Sequence, residues 1–461
     1  MTTNPTVSAP AAVLRGLCGG AVHLPGDPGY DAARTPWNVA VDQRPLAVVY
    51  PASAAEVADV VRAAAAADLR VAVQGTGHNA GPLGDLSGSV LLRTSAMTAV
   101  TVDPVARTAR AEAGTLWLDV VEAAAPHGLI PLHGSSPDVG VVGYSLGGGM
   151  GWYSRQLGLQ SNSLTAIEVV TATGELVRTD ADHDPELFWA LRGGGGNFGV
   201  VTAVEFTLYP IETAYAGMLV WDWQHAHAVL SRWTEWAATA PDSVTTSWRI
   251  LQLPPIPEIP EPVRGRNLVV IDGAVLGPDE QAEAIIAPLR ALAPEMDTFA
   301  RVPAASLVRL HMDPEGPTPA VSATAVLGEL DAEGVTAMVA AAGPGSGSPL
   351  LVAELRQLGG ALRRPLPAAG VLSHVDGAFA LFAVAVAPTP EMAAAGSAAG
   401  ERLVEAMAPW ATGGQYLNFA ETRVDPRTGY PADSWDRLTA LRSERDPQGL
   451  FHANHEVPTG G

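Results

Sequence analysis

Apolar runs alternate with helical patterns through residues 1–210 of the chain. Residues 46–50 form a short valine-rich run that is typical of a buried strand. Ser53 and Glu56 then stand at capping-box spacing, ahead of apolar positions that repeat with helical periodicity. Two further strands are predicted at residues 164–171 and 199–208. A helix is predicted to start between them, at residues 184–185. The pattern predicts a mixed region of strands and helices.

The pattern changes after Pro210. Tryptophans cluster at positions 221, 223, 233, 236 and 248, and a proline-rich stretch follows at 253–262. A change of composition of this kind is typical of a boundary between domains. We therefore predict a boundary near residue 211.

A glycine-rich turn at residues 74–81 contains His78 and directly follows the strand-like run 69–73. Glycine lets backbone N–H groups approach a ligand closely, so such a turn can bind a pyrophosphate. A Rossmann dinucleotide fingerprint would need a helix to begin at these glycines. Residues 82–88 are instead typical of a loop, which excludes the Rossmann motif.

Two more glycine-rich loops are predicted, at residues 133–152 and 192–201. Six glycines fall between Gly140 and Gly151. Each glycine costs about 0.5–1 kcal/mol relative to alanine in a regular element, so packing alone does not account for them. The three loops together predict close approach of a large flat or phosphorylated ligand.

Composition narrows the class of protein. Hydrophobic residues make up 47% of the chain, which suits large cores, and no apolar run reaches the roughly 18 residues of a membrane span. Residues 1–10 lack the features of a secretory signal, so we predict a cytoplasmic protein. Cys18 is the single cysteine, which excludes a disulfide framework and a cysteine zinc site, and we predict no metal.

The charge balance excludes several functions. The formal net charge is −21, and all 27 basic residues are arginine. A chain without lysine cannot be a Schiff-base enzyme, a pyridoxal-phosphate enzyme or a P-loop protein. Its acidity argues against nucleic acid and anionic membranes as partners. We expect a small-molecule substrate; the sequence leaves open whether the protein is a monomer or homodimer.

The motifs together resemble a known family. The matching segments are residues 37–38, 75–79, 139–151, 187–194, 197–201, 416–418 and 446–451. In their order and spacing the chain resembles the FAD-linked oxidases of the vanillyl-alcohol-oxidase/p-cresol-methylhydroxylase superfamily, in the berberine-bridge-enzyme-like branch. The middle third of the chain carries much less of this resemblance.

The resemblance implies an α+β fold. An FAD-binding domain of two subdomains would occupy residues 1–210, and a substrate domain with an antiparallel sheet flanked by helices would occupy 211–409. Residues 410–461 would return to the FAD-binding domain. The substrate would then meet the flavin between the two domains.

The resemblance also implies a covalent bond between His78 and the 8α-methyl of FAD, formed when a neutral imidazole attacks the flavin. Many members of the branch add a second bond through a cysteine. Ser136 stands at that position here, so we predict a single bond, as in the monocovalent members. The remaining cofactor-binding residues implied by the family are Gln74, Gly75, Thr76, Gly77, Asn79, Ser136, Val139, Gly140, Gly143, Tyr144, Gly148, Gly149, Gly151, Gly199, Val201, Tyr416, Asn418 and Asn454.

Three residues are candidates for catalysis. The family implies that Tyr416 lies against the flavin, where a phenol can act as a base, and that Tyr144 lies beside the flavin. Glu354 and Arg356 would share one face of a strand at 351–360. Desolvation would raise the pKa of Glu354 and suit it to a general base, with a surface ion pair as the alternative. Arg356 and Trp152 are the predicted substrate contacts, and aromatic packing is the alternative for Tyr144 and Trp152.

The function implied is an FAD-dependent oxidase. It would remove a hydride from a small organic substrate, aromatic or polyketide in character, and pass the electrons to O2 to give H2O2. Alternatives are a flavin-dependent oxygenation or rearrangement of a polyketide, a sugar or oligosaccharide alcohol oxidase, and a flavin- or ligand-binding protein without turnover.

Overall fold

The structure is a computed structural model that describes residues 9–366 and 368–459, and three β-sheets organise it. The first residues of the chain, on which the prediction of a missing secretory signal depends, lie mostly outside this part. The strands are β1 (Val22–His23), β2 (Ala47–Val49), β3 (Arg70–Gln74), β4 (Ser89–Arg93), β5 (Val100–Asp103), β6 (Thr108–Glu112), β7 (Leu164–Val170), β8 (Leu176–Asp180), β9 (Val200–Thr207), β10 (Thr213–Asp222), β11 (Val244–Gln252), β12 (Asn267–Val275), β13 (Met296–Asp297), β14 (Ala300–Pro303), β15 (Ala320–Leu327), β16 (Val352–Gln357), β17 (Phe379–Val386) and β18 (Phe451–His452).

Helices connect these strands and cover the sheets. They are α1 (Ala9–Ala12), α2 (Tyr30–Arg34), α3 (Ala54–Ala66), α4 (Trp117–Ala124), α5 (Val141–Leu146), α6 (Ser154–Leu157), α7 (Pro185–Leu191), α8 (Ala226–Ala237), α9 (Asp279–Arg290), α10 (Ala332–Ala342), α11 (Pro390–Met407) and α12 (Ala432–Arg445). Over the described residues, no helix has the length and apolar character needed to cross a membrane.

The first sheet has the strand order β1-β2-β4-β3-β18. Strands β2, β4, β3 and β18 run parallel, and β1 pairs antiparallel with β2. Helix α3 begins where the capping box predicts, since the Ser53 hydroxyl accepts a hydrogen bond from the Glu56 N–H at 3.3 Å. Strand β3 ends at Gln74, and the turn that carries His78 follows it directly.

The second sheet is antiparallel, with the order β5-β6-β9-β7-β8. It shares one hydrophobic core with the first sheet, in which Val57 of α3 and Ile167 of β7 are fully buried. Helix α7 begins at the predicted position, where the Asp184 carboxylate accepts from the Leu187 N–H at 3.3 Å. These two sheets form one packed unit.

The third sheet follows the order β13-β10-β12-β11-β16-β17-β15, with β14 also pairing with β10, and it is antiparallel. Its own core contains residues of α8, α9, α10 and α11. Trp221, Trp233 and Trp248 are buried there, so the tryptophan-rich stretch is core. The α+β fold with a helix-flanked antiparallel sheet is confirmed, and the domain limits at 210 and 410 stay predictions.

A small apolar cluster lies where the packed unit meets the third sheet. It contains Met150 from the second glycine-rich segment, Leu159 shortly after that segment, Leu358 just after β16, Ala380 of β17, and Tyr416. Residues from three distant parts of the sequence therefore meet at this junction. The candidate catalytic residues lie around it.

Candidate functional site

His78 lies in the turn after β3. Its ring stacks on Trp37, with the ring centroids 3.9 Å apart and the planes at 21°. Its Nε2 atom lies 3.2 Å from the backbone oxygen of Asp138 and 3.4 Å from Oδ1 of the same residue. Gly77 precedes His78 with a φ of +90°, a backbone conformation that favours glycine. The turn thus presents His78 with one ring nitrogen engaged.

Asp138 joins several segments around His78. Its Oδ2 accepts hydrogen bonds from Trp37 Nε1 at 2.7 Å and from the Gly316 N–H at 2.8 Å. The Ser136 hydroxyl donates to Oδ1 at 2.9 Å. Burial alone would raise the pKa of Asp138, but the donors on His78, Gly316 and Trp37 outweigh it and lower that pKa. Asp138 is therefore an ionised carboxylate.

The second glycine-rich segment differs from the prediction in part. Residues 141–146 form the short helix α5, where the sequence analysis predicts a loop. A Cβ at Gly147 would overlap Asn418, and one at Gly149 or Gly151 would overlap Tyr144 or the carbonyl of His133. Packing against the protein itself therefore accounts for Gly147, Gly149 and Gly151. The prediction that packing alone does not account for the glycines of this segment is wrong for these three.

Two more predicted glycines have structural causes. Gly199 has a φ of +157° and lies against Val169 and Val170, just before β9, which contains the buried Val201. Gly148 has a φ of +113° and lies against Leu372 and Tyr416. These positions need glycine whether or not a ligand is bound.

Space for a ligand remains at other glycines. A Cβ at Gly75 or Gly140 would come no closer than 3.7 Å or 3.8 Å to any neighbour, and one at Gly143 would meet nothing within 4 Å. A Cβ at these positions would not collide with the protein, and the backbone φ angles there are not positive. Neither packing nor backbone conformation therefore requires glycine. Close approach of a bound group would explain them.

Buried polar atoms without a partner lie along the same segments. Among the described residues, hydrogen-bond partners are missing for the side-chain amide of Gln74, Oδ1 of Asn79, the Tyr144 hydroxyl and the side-chain amide of Gln160. Buried polar groups are normally satisfied, so these atoms fit a polar ligand such as a flavin nucleotide. Of the other predicted cofactor residues, Thr76 Oγ1 accepts from the His78 N–H at 3.5 Å, and Val139 packs against the core.

Tyr416 is buried at the junction, with several N–H donors around its hydroxyl oxygen. Asn418 Nδ2 donates to that oxygen at 3.3 Å and to the Tyr144 carbonyl at 3.0 Å. Burial raises the pKa of Tyr416 to about 12, while Asn418 and the N–H groups of Gly149 and Met150 act in the opposite direction. Burial and the nearby Tyr416 raise the pKa of Tyr144 well above its usual value. Two buried phenols therefore share this site.

Glu354 and Arg356 lie on one face of β16, as the alternation predicts. Arg356 Nε donates to Glu354 Oε1 at 2.8 Å, and Glu354 is 1% exposed. Burial alone would raise the pKa of Glu354, but the charges of Arg356 and His311 together lower it. The predicted raised pKa is wrong because two cations flank the carboxylate. The alternative of a surface ion pair is also wrong, since the pair is buried.

This ion pair belongs to a larger buried network. His311 contacts Glu354 Oε1 through Nε2 at 3.3 Å and Asp272 Oδ2 through Nδ1 at 2.9 Å. Arg249 donates to Asp272 Oδ2 at 2.6 Å. Burial and Arg249 alone would lower the pKa of His311, but Glu354 and Asp272 outweigh them and raise it to about 9. The imidazolium form of His311 is thus favoured at neutral pH, against the opposing effect of Arg356, whose Nη2 lies 3.2 Å from the His311 Nε2.

Arg356 extends this network towards the junction. Its Nη2 lies 3.2 Å from the Ser135 hydroxyl, and its guanidinium lies 5.0 Å from the ring centroid of Phe419. A cavity of about 20 Å³, room for about one water molecule, is lined by residues that include Ser135, Trp152 and Arg356. Trp152 is 4% exposed, and its indole N–H has no partner among the described residues. Both predicted substrate residues thus line one cavity.

Sequence reasoning missed part of this site. Asp272 interrupts the apolar strand β12, a buried-charge signal that was available, whereas the loop position of His311 gave none. Nothing in the sequence links Asp138 to His78, because the two residues are 60 positions apart. Glu421 was also missed: burial raises its pKa to about 7, and Ser322 donates to it at 2.8 Å. The predicted Asn454 donates to the backbone oxygen of Asn79.

Comparison with known proteins supports a flavin-binding assignment. The FAD binding domain family matches residues 45–180. The (R)-6-hydroxynicotine oxidase of Paenarthrobacter nicotinovorans is 37% identical over 203 residues, which are 44% of this chain and 44% of that protein. The chain thus matches less than half the length of this curated relative.

Solved structures extend the likeness over nearly the whole chain. The structure of 6-hydroxy-D-nicotine oxidase from Arthrobacter nicotinovorans has a TM-score of 0.80 at 26% identity, covering 94% of this chain and 97% of that one. The wild-type BBE-like 1 of Physcomitrella patens has a TM-score of 0.85 at 21% identity, covering 99% and 100% of the two chains, which shows the fold.

The fold and the glycine-rich site define an FAD-binding flavoprotein. Within that class, these matches support the predicted family, the vanillyl-alcohol-oxidase/p-cresol-methylhydroxylase superfamily in its berberine-bridge-enzyme-like branch.

Proposed function

We propose that this protein is an FAD-dependent oxidase that removes a hydride from a C–H bond of a small organic substrate, aromatic or polyketide in character. The observation that carries the proposal is the buried hydroxyl of Tyr416, which faces donors from Asn418 and the second glycine-rich segment. Burial raises the pKa of this phenol to about 12, and the donors act against that rise by favouring the phenolate, the form that would take a proton from a substrate. The covalent bond to FAD through His78 alone is part of the proposal.

When bound, FAD supplies the hydride acceptor and passes its electrons to O2, giving H2O2. Gln74, Gly75, Gly140 and Gly143 would hold it, since they combine unpartnered polar atoms with open space. The N–H groups around Tyr416 stabilise its phenolate, and Asn418 holds this arrangement by bridging Tyr416 and the carbonyl of Tyr144. The tyrosine, rather than Glu354, is therefore the proposed base.

Glu354 and His311 orient Arg356 for substrate. Arg356 donates through Nε to Glu354 and through Nη2 to Ser135, so its Nη1 is left for a substrate oxygen. Trp152 supplies an indole N–H on the same cavity. The cavity has room for one oxygen atom, so a carbonyl or hydroxyl oxygen of a substrate suits these groups.

Anaerobic bleaching of the yellow protein across a panel of aromatic, polyketide and oligosaccharide compounds tests this proposal. We expect Tyr416→Phe to slow flavin reduction by a productive substrate about 10²–10⁴-fold, because it removes the proton acceptor. Tyr430→Phe, which alters a phenol beside Trp435, is the matched control and should reduce at the wild-type rate.

Three results would redirect the proposal. An unchanged reduction rate in Tyr416→Phe would remove the tyrosine base. Tight binding without bleaching by any compound would favour a binding protein, and incorporation of labelled oxygen from O2 into product would favour oxygenation or rearrangement. A cytoplasmic location and a monomer or homodimer stay predictions.

A further inference from the structure

The surroundings of His78 make its two ring nitrogens unequal. Nε2 faces the backbone oxygen and the carboxylate of Asp138, at 3.2 Å and 3.4 Å. Both are acceptors, so a neutral imidazole must carry its proton on Nε2 to face them. Among the described residues, Nδ1 of His78 has no hydrogen-bond partner. The lone pair of the neutral ring is therefore on Nδ1.

The ring is also held in orientation. Trp37 stacks on one face, and Trp37 Nε1 donates to the same carboxylate that Nε2 of His78 faces. A flip of the imidazole would carry Nε2 away from Asp138 and break this arrangement. A single acidic side chain thus fixes the indole and faces the imidazole.

We propose that Asp138 is a positioning residue for covalent flavin attachment, because it selects the His78 tautomer whose Nδ1 lone pair can form the bond. The inference rests on the proposed attachment through His78. Nδ1 forms a bond to the 8α-carbon as that carbon loses one C–H proton and the imidazole loses its N–H proton. Two electrons and two protons reduce the flavin ring, and dioxygen then takes them to give H2O2.

Asp138 also compensates charge during this step. As Nδ1 forms its bond, positive charge builds on the ring, and the Nε2 proton is the one that must leave. Nε2 faces an ionised carboxylate, which stabilises that charge until the proton leaves. Trp37 and Gly316 hold the carboxylate in place.

The substitution Asp138→Asn tests the tautomer directly. Two donors, Trp37 Nε1 and the Gly316 N–H, face Oδ2, so the asparagine oxygen must take that place. Its NH2 group then faces His78 Nε2 in place of the carboxylate, which weakens the preference for a proton on Nε2, while the backbone oxygen at position 138 remains an acceptor 3.2 Å away. The Ser136 hydroxyl can rotate to accept from the amide, so the side chain itself remains accommodated.

We expect apoprotein of Asp138→Asn, given FAD, to acquire acid-stable flavin about ten- to a hundredfold more slowly than wild type, the worth of a charge-assisted hydrogen bond. The matched control is Asp180→Asn, which alters the surface pair of Asp180 with His183 Nδ1 at 2.8 Å and should leave the rate unchanged. Non-covalent FAD binding, measured before attachment, shows whether the variant is folded. A rate equal to wild type would overturn the inference.

Nitrogen NMR of histidine-labelled apoprotein provides a second test that needs no flavin. The His78 signal, assigned with His78→Ala, should show the proton on Nε2. A proton on Nδ1 would overturn the inference even if Asp138→Asn failed to fold. Wild-type protein that never acquires acid-stable flavin would instead overturn the proposed attachment, while the NMR result would still decide the role of Asp138.

Discussion

His78 and His311 both lie beside carboxylates, but their rings are engaged in different ways. Both nitrogens of His311 face acid oxygens, from Asp272 on one side and Glu354 on the other. One nitrogen of His78 faces Asp138, and the other is left without a protein partner in the described structure. The first arrangement holds a cation, and the second leaves a nucleophilic atom.

The tryptophans beside the two histidines also differ, in whether the indole N–H has a hydrogen-bond partner. Trp37 stacks on His78 and donates its indole N–H to Asp138. Trp152 lies 5.6 Å from His311 at an interplanar angle of 57°, and its indole N–H is unpartnered among the described residues. Beside His78, the tryptophan holds the imidazole between its own ring and the Asp138 carboxylate. Beside His311, whose two ring nitrogens both face carboxylates, Trp152 lines the small cavity.

Substituting each histidine gives the largest expected difference. His78→Ala should lose all acid-stable flavin, because it removes the bonding nitrogen, whereas His311→Gln should keep it. Acid precipitation followed by flavin absorbance of the pellet and the supernatant measures this. Flavin that stays in the pellet of His78→Ala would remove the central claim about His78.

Removing a carboxylate should cost more stability in the His311 network. Asp272→Asn leaves Arg249 and His311 buried without their shared counter-charge, and we expect a loss of about 3–5 kcal/mol. Asp138→Asn leaves partly exposed groups and should cost less, about 1–2 kcal/mol. Chemical denaturation of the two variants beside wild type measures both. Equal losses would break the comparison between the two sites.

The pH dependence of the stability gives a smaller expected effect, and it concerns the His311 network. The pKa of His311 is raised to about 9 from its usual 6.5, so its stabilising effect is fully present below pH 6.5 and is lost as the pH rises through 9. We expect wild type to lose a few kcal/mol across this range that His311→Gln does not lose. Thermal melts from pH 6 to pH 9.5 measure this, and parallel curves for the two proteins would contradict a buried imidazolium.

Local signals made much of the fold predictable. Ser53 with Glu56, and Asp184 with Pro185, start helices where the sequence places them, because capping depends on neighbouring residues. The apolar runs before and after them form β2, β7 and β9 within a few residues of the predicted limits. Family resemblance, rather than periodicity, supplied the antiparallel sheet of the middle region.

The site was less predictable because its contacts are not local. The pKa of Glu354 depends on His311, which lies on a loop and has no sequence signal that links it to β16. Gly147 reads as a ligand-binding glycine until Asn418 is found against it. The roles of Tyr416, Tyr144 and Arg356 stay predictions, although the structure brings all three to one junction.

Strand β18 lies near the end of the described residues but completes a sheet whose other strands come early in the chain. It lies beside β3, and Arg70 donates to the carbonyls of Gly449 and Phe451, 379 and 381 residues later. The sheet that ends in the His78 turn is therefore incomplete while the ribosome is still making the other two sheets. Contacts of such long separation form slowly. A nascent chain would hold an exposed edge at β3 until β18 has been made.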